Sequence, residues 1–143
     1  MRIRRSIIIS SLAVLAVGGA AFVVTARAAQ RRAQSLNCAS SVVSICHVGR
    51  LWAEDHGGSF PTNFISMSNV LSSPKILSCV PARRSRASDW SAFTPDNCTY
   101  EIVTPGVPES ATNTVFLRCT VHGHLGYPDT TVFDGVRRRG KFG

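Results

Sequence analysis

The chain has 143 residues, a net charge of +8 and 44% apolar residues, a length that suits one modest globular domain and is too short for two sizeable cores. Six of the 16 Lys and Arg residues flank one N-terminal apolar segment. From residue 33 onward there are ten basic and eight acidic residues, which leaves a net charge of only +2. This near-neutral body argues against a nucleic-acid-binding domain, which concentrates its basic residues on a folded face. Four of those ten lie in the last seven positions and predict a solvated basic tail.

The first predicted element is an apolar helix. No charged residue occurs from Ser6 to Ala26, a run of 21 positions with arginines on both sides. As an α-helix the run is about 30 Å long, which matches the hydrocarbon core of a bilayer. We therefore expect a transmembrane anchor and linker helix in 1–35 and a separate domain in 36–143.

A signal peptide is the alternative interpretation of this segment. Ala26-Arg27-Ala28 fits the small-x-small pattern that precedes a cleavage site. However, the apolar region of a signal peptide spans only about 7–15 residues. The sequence also stays compatible with a helix through Gln34. We predict that the segment is retained, and cleavage remains the alternative.

The helix is predicted to continue into the domain. Apolar residues recur there at the spacings of three and four that are typical of an amphipathic helix: Leu36, Ala39, Val43 and Cys46. Gly57-Gly58 predicts its end, because glycine readily takes the left-handed conformation that terminates helices.

The rest of the chain predicts short elements joined by turns. One short helix is expected at 67–71, and loops rich in turn residues are expected at 81–95 and 105–113. Short β-prone runs occur at 75–79, 99–103, 114–118 and 130–133. The fold class is therefore α+β, with a long N-terminal helix packed on a small antiparallel sheet.

Asp134-Gly135 is the strongest turn pattern in the chain. It lies between extended segments, where Asp-Gly favours a two-residue type I′ turn with positive φ at both central positions. We expect it to close a terminal hairpin. We expect His124, on the preceding segment, to have a structural role.

The five cysteines indicate the compartment: Cys38, Cys46, Cys79, Cys98 and Cys119. In a small domain behind an export segment, such a set favours disulfides over metal ligands. We therefore expect a periplasmic domain and a cytoplasmic N-terminus in a bacterial inner membrane. Because Cys79 and Cys119 each end a predicted strand, we predict that they form a disulfide.

Metal sites are the alternative use of these residues. Cys119, His122 and His124 could supply three ligands, with Cys79 as a fourth. Structural zinc sites usually present two well-spaced ligand pairs, and only one compact cluster is visible here. Calcium prefers six to eight oxygen ligands, and Asp129 and Asp134 are too few. We therefore predict no metal and no cofactor.

No catalytic site is predicted. Cys46-His47 are adjacent, and adjacent helix positions point about 100° apart and do not face each other. Cys46 also lies on the apolar stripe, where a buried and inert thiol is expected. We therefore expect the protein not to be an enzyme.

Several segments resemble bacterial type II secretion pseudopilin-like proteins. Those residues are Trp52-Ala53, Asp55, Phe60-Pro61, PKILSC at 74–79, DNCTYEIVTPG at 96–106 and LRCTVHGH at 117–124. His124, nine residues and then Asp134-Gly135 match the H-x9-DG pattern of related prepilin-like proteins. The resemblance covers about 37–135. The family's leader, a glycine followed by Phe-Thr-Leu-x-Glu, is not matched at Arg5-Ser6-Ile7-Ile8-Ile9.

The resemblance implies a pilin-like fold and a structural or assembly role in a secretion or pilus-type machine. The implied partners are other pilin-like subunits, components of that machine and inner-membrane lipid, with no nucleic acid. The alternative is a tethered or exported envelope binding module with a metal or ligand site near His122 and His124.

Overall fold

The computed structural model describes residues 2–82 and 85–140, and within the first helix it does not describe the side chains of 2–18 and 20. The chain divides into two units, Met1–Gln34 and Ser35–Gly143. The described part of the first unit is helical, and the second combines the end of the same helix with a sheet. The predicted α+β class and the long N-terminal helix are confirmed.

Within the described residues, no helix meets the length and hydropathy that crossing a bilayer requires. The predicted anchor run, 6–26, falls mainly on side chains outside the described part.

Helix α1 spans Arg2–Glu54, 53 residues. In the second unit its buried face carries Cys38, Ala39, Val42, Ile45, Cys46 and Ala53. It ends as predicted: the N–H of Gly58 donates to the carbonyl of Ala53 at 2.8 Å, and Gly57 and Gly58 have φ of 71° and 76°. Glycine adopts these values at no steric cost, which explains where the helix stops.

The described residues between α1 and the sheet contain four short 3-10 helices: Ile65–Met67, Pro74–Leu77, Trp90–Ala92 and Pro95–Asn97. In place of the predicted helix at 67–71, the chain has the 3-10 turn Ile65–Met67 and then a hydrogen-bonded turn, in which the N–H of Leu71 donates to the carbonyl of Met67 at 2.7 Å. The predicted strand at 75–79 is wrong. Ser73 accepts a hydrogen bond from the N–H of Lys75, and Pro74 supplies a helical φ, so a helical turn begins there.

The predicted loop at 81–95 is held by an aromatic side chain. Trp90 donates from Nε1 to the carbonyl of Leu71 at 3.0 Å, and its ring packs edge-on against Phe93 at 5.4 Å between centroids. Asp89 caps the 3-10 turn by accepting from the backbone of Ser91 and Ala92. Residues 83–84 of this loop lie outside the described part.

The sheet contains five antiparallel strands in sequential order: β1 (Tyr100–Ile102), β2 (Leu117–Cys119), β3 (Leu125–Gly126), β4 (Val132–Phe133) and β5 (Arg138–Arg139). The predicted runs at 99–103 and 130–133 contain β1 and β4. The run predicted at 114–118 begins three residues before β2. The sequence does not predict β3, because a strand of two residues between turns is too short to show the alternation of apolar and polar residues that marks a strand.

Helix α1 packs closely against Gly126 of β3. A Cβ on Gly126 would lie 2.4 Å from the Sγ of Cys46 and 2.8 Å from a methyl of Val42. Beside this contact, the rings of Phe60 and Phe116 meet edge-on at 4.6 Å between centroids. Only glycine allows α1 and β3 to pack at this distance.

In the described part of the predicted basic tail, Arg138 and Arg139 form β5, and Arg137 and Arg138 are exposed. Arg138 pairs with Asp129 at 2.9 Å and lies over the ring of Tyr127, 4.0 Å from its centroid. These ion-pair and cation–π contacts hold an arginine that stays exposed to solvent.

Candidate metal centre

Four side chains with metal-binding atoms meet at one point in the second unit: Cys38, Cys79, Cys119 and His122. Their ligand atoms all lie within 4.8 Å of one another. The three cysteines are buried, and His122 is half-buried. We call these four residues the Cys–His cluster.

Three separate segments deliver the thiols. Cys38 lies on the buried face of α1, Cys119 is the last residue of β2, and Cys79 follows the 3-10 helix Pro74–Leu77. The N–H of Cys79 donates to Oγ1 of Thr99 at 2.7 Å, which fixes this loop beside β1.

A tight turn returns His122 to Cys119. The N–H of Gly123 donates to the carbonyl of Cys119 at 2.9 Å, and Gly123 has φ of 72°. No other atom lies within 4 Å of a Cβ placed there, so glycine is required for its backbone conformation alone. The N–H of His122 also points at the Sγ of Cys119, at 3.5 Å.

The distances within the Cys–His cluster fit a shared ion better than a covalent bond. The Sγ atoms of Cys38 and Cys119 are 3.2 Å apart, and the Sγ of Cys79 is 3.3 Å from Nδ1 of His122. A disulfide holds its sulfurs at about 2.03–2.05 Å. Zn–S and Zn–N bonds of about 2.3 and 2.0–2.1 Å in a tetrahedron separate the ligand atoms by about 3.5–3.8 Å. The observed contacts need only a small expansion.

The cysteines polarise one another. The hydrogen bond from Cys38 lowers the pKa of Cys119 to about 5. The same contact raises the pKa of Cys38, and burial raises the pKa of Cys79. These contacts favour the thiolate form at Cys119 more than at Cys38 or Cys79, and Cys119 also faces the backbone N–H of His122.

The structure brings together the two sulfurs for which a disulfide was expected. Cys79 and Cys119 are both in the Cys–His cluster, and both are thiols here. The disulfide between them stays a prediction. Sequence reasoning missed Cys38 as a member of this cluster, because spacing along a helix does not show which distant segments pack against it.

His124 is buried and contacts α1 rather than the ligand atoms. Its Nε2 lies 3.1 Å from both the carbonyl and the hydroxyl of Ser35. Its ring stacks near that of His122, with 5.6 Å between centroids. Of the two histidines considered as ligands, the Cys–His cluster includes only His122.

Asp134 and Gly135 lie in the turn between β4 and β5. Oδ1 of Asp134 accepts from the N–H groups of Val136 and Arg137, both at 3.0 Å, and these bonds lower its pKa to about 2. Gly135 has φ of 94°, and Asp134 is not in the positive-φ region. The loop is therefore the four residues 134–137 rather than a two-residue type I′ turn.

The other residues considered in the sequence have ordinary partners. Asp129 pairs with Arg138, and Asp134 pairs with Arg139 at 2.7 Å, so these carboxylates are already engaged by cations. Cys46 is fully buried, whereas His47 is exposed, so the two lie on different faces of α1 as predicted. Burial raises the pKa of Cys46 and keeps it a thiol.

The chain has no match among family models, curated proteins or solved structures.

Proposed function

We propose that the protein is a pseudopilin-like structural subunit of a bacterial type II secretion or pilus-type envelope machine. In this proposal the N-terminal part of α1 anchors it in the inner membrane, with the N-terminus in the cytoplasm and the second unit in the periplasm. The role is structural rather than catalytic.

The observation that carries the proposal is the continuity of α1. The helix runs without a break through Ala26-Arg27-Ala28 and on to Glu54, and its residues Val42 and Cys46 pack against Gly126 of the sheet. A signal peptide is cleaved in an accessible, extended segment, and a continuous helix is poorly suited to that. A retained apolar helix that leads into a small antiparallel sheet is the architecture that the resemblance to pseudopilins implies.

Apolar side chains on the described part of the first unit support the same proposal. Phe22, Val23 and Val24 are 73%, 45% and 66% exposed. Contiguous exposed apolar groups indicate contact with lipid or with another protein. Neighbouring helices of pilin-like subunits would cover them, as would acyl chains.

Cross-linking in intact cells tests this assignment. A photoreactive residue at Phe22 should give an adduct with another pilin-like subunit or a component of the machine, identified by mass spectrometry. The same residue at Val136, which is 86% exposed in the second unit and can carry a bulky side chain, is the control and should give none.

Fractionation supplies the second measurement. The intact chain should remain with the inner membrane and be extracted by detergent but not by salt. A soluble periplasmic form that begins at Ala29 would contradict the proposal.

A second candidate is a tethered or exported binding module with a metal site near His122. The observation that favours it is the Cys–His cluster, in which three thiols and an imidazole converge.

A further inference from the structure

The Cys–His cluster has the composition of a structural metal site. Three thiolates and one imidazole form one of the usual donor sets for tetrahedral zinc, and soft sulfur ligands select zinc over magnesium or calcium. All four positions are supplied by protein, which leaves no open position for water or substrate. This closed arrangement is typical of a site that stabilises a fold rather than one that performs chemistry.

The backbone around Cys119 is arranged for a charged sulfur. The N–H of His122 faces its Sγ, and the turn through Gly123 holds that geometry. Hydrogen bonds from backbone N–H groups stabilise a thiolate, the form in which cysteine binds a metal. A neutral disulfide sulfur gains much less from such a donor.

A disulfide accounts for only part of the Cys–His cluster. It would join two of the three sulfurs and leave one buried thiol and His122 without a role. One ion at the centre contacts all four ligand atoms at once, and the observed separations of 3.2 and 3.3 Å need only a small expansion to reach a tetrahedron.

We propose that Cys38, Cys79, Cys119 and His122 bind one Zn²⁺ ion, which fastens α1 to β2 and to the loop that holds Cys79. Binding releases the remaining thiol protons to solvent and involves no change of oxidation state. The zinc site and the Cys79–Cys119 disulfide are mutually exclusive uses of the same sulfurs. The proposal does not rest on the pilin-like assignment, since it concerns only residues within the second unit.

The first experiment measures metal content. The full chain is purified in detergent with a non-thiol reductant, supplied with Zn²⁺, freed of excess metal, and analysed by inductively coupled plasma mass spectrometry. We expect one zinc per chain. Replacement by Co²⁺ should give sulfur-to-cobalt charge-transfer absorption in the near ultraviolet and the visible bands of a tetrahedral ion.

Variants test whether zinc binding depends on the Cys–His cluster or on any buried cysteine. Cys38→Ser should lower zinc affinity at least tenfold. Removing a residue that only orients a metal ligand typically lowers affinity by that much, and removing the ligand itself should lower it by at least as much. Cys46→Ser is the matched control, since it removes another fully buried thiol of α1 and should keep one zinc per chain. If Cys38→Ser does not fold, His122→Ala tests the same site from the half-buried ligand and should weaken the cobalt spectrum.

Three results would overturn the proposal. One is a folded, reduced chain, verified by circular dichroism, that retains no zinc. Another is equal loss of zinc in Cys46→Ser and Cys38→Ser. The third is a Cys79–Cys119 bond, found by non-reducing peptide mapping, in protein isolated from cells with its thiols trapped at lysis. One zinc per chain in the parent and in Cys46→Ser but not in Cys38→Ser would establish the site.

Discussion

Two regions of the second unit are organised in opposite ways. One is the contact between α1 and the sheet, and the other is the terminal hairpin of β4 and β5. In the first, Val42 and Cys46 of α1 pack against Gly126, and the Cys–His cluster adds Cys38 and Cys119, 81 positions apart. In the hairpin, the carboxylate of Asp134 binds N–H groups two and three residues away. We call the first region the helix–sheet interface.

The difference determines which substitutions destabilise each region. The helix–sheet interface depends on tight packing between distant segments, where an added atom has no room to go. The hairpin is exposed, and its conformation depends on local backbone preference. Substitutions in the interface should therefore cost more than substitutions in the hairpin, and for a different reason.

The largest effect is expected for Gly126→Ala. The added Cβ would lie 2.4 Å from the Sγ of Cys46, so the variant should lose about 3 kcal/mol of unfolding free energy. Combined with Cys46→Ala, the same change should cost less, because the nearest obstructing atom is gone. Urea unfolding of the full chain, followed by tryptophan fluorescence, measures both. An equal cost in the two backgrounds would contradict close packing of α1 on β3.

Gly49→Ala is the matched control for that experiment. Its Cβ would meet the rings of Phe60 and Phe116 at 3.1–3.2 Å, so a shift of a few tenths of an ångström relieves the contact. The loss should be smaller than for Gly126→Ala. A larger loss would place the tightest packing of α1 against the aromatic pair instead of β3.

A smaller effect is expected for Gly135→Val in the hairpin. Because Gly135 has φ of 94°, a β-branched residue there should cost about 1 kcal/mol or more of unfolding free energy. Gly140→Val is the control, since that glycine has no positive φ and a Cβ there has no neighbour within 4 Å. Equal losses in the two variants would show that the turn does not depend on glycine.

The smallest effect concerns pH and Asp134. Backbone hydrogen bonds lower its pKa from 3.8 to about 2, so its ionised form stabilises the folded state above pH 3.8, and this contribution is lost as pH falls through about 2. Asp134→Ala should therefore be less stable than the parent at pH 6, and the difference should shrink between pH 4 and 2. A difference that is independent of pH would mean that the carboxylate charge does not contribute.

The same division explains what the sequence could predict. Gly57-Gly58 and Asp134-Gly135 act through backbone conformation within a few residues, so the end of α1 and the place of the last turn could be found from their residue types. Ser73-Pro74 carried an equally local pattern, a capping serine before a proline at the first helical position. The β-prone residues that follow it, 75–79, predict a strand instead, and the capping pattern is the stronger signal in the structure.

The Cys–His cluster could be predicted only in part. Cys119 and His122 are three residues apart and were recognised together, and Cys79 was added as a possible fourth ligand. Cys38 joins them only because α1 packs across the sheet, and periodicity on a helix indicates which face is buried but not what covers it. The importance of Gly126 in β3 could not be predicted for the same reason, because it depends on close packing against Cys46 of α1.

The sequential order of the five strands has a consequence for folding during synthesis. Each strand pairs with its neighbour in the chain, so the sheet can form progressively as residues emerge. Helix α1 emerges first, yet Gly126, against which Val42 and Cys46 pack, emerges about 80 residues later. At a translation rate of about 5–20 residues per second, the apolar face of α1 waits several seconds for this partner. During that interval the nascent helix is the part of the chain that most needs protection from aggregation.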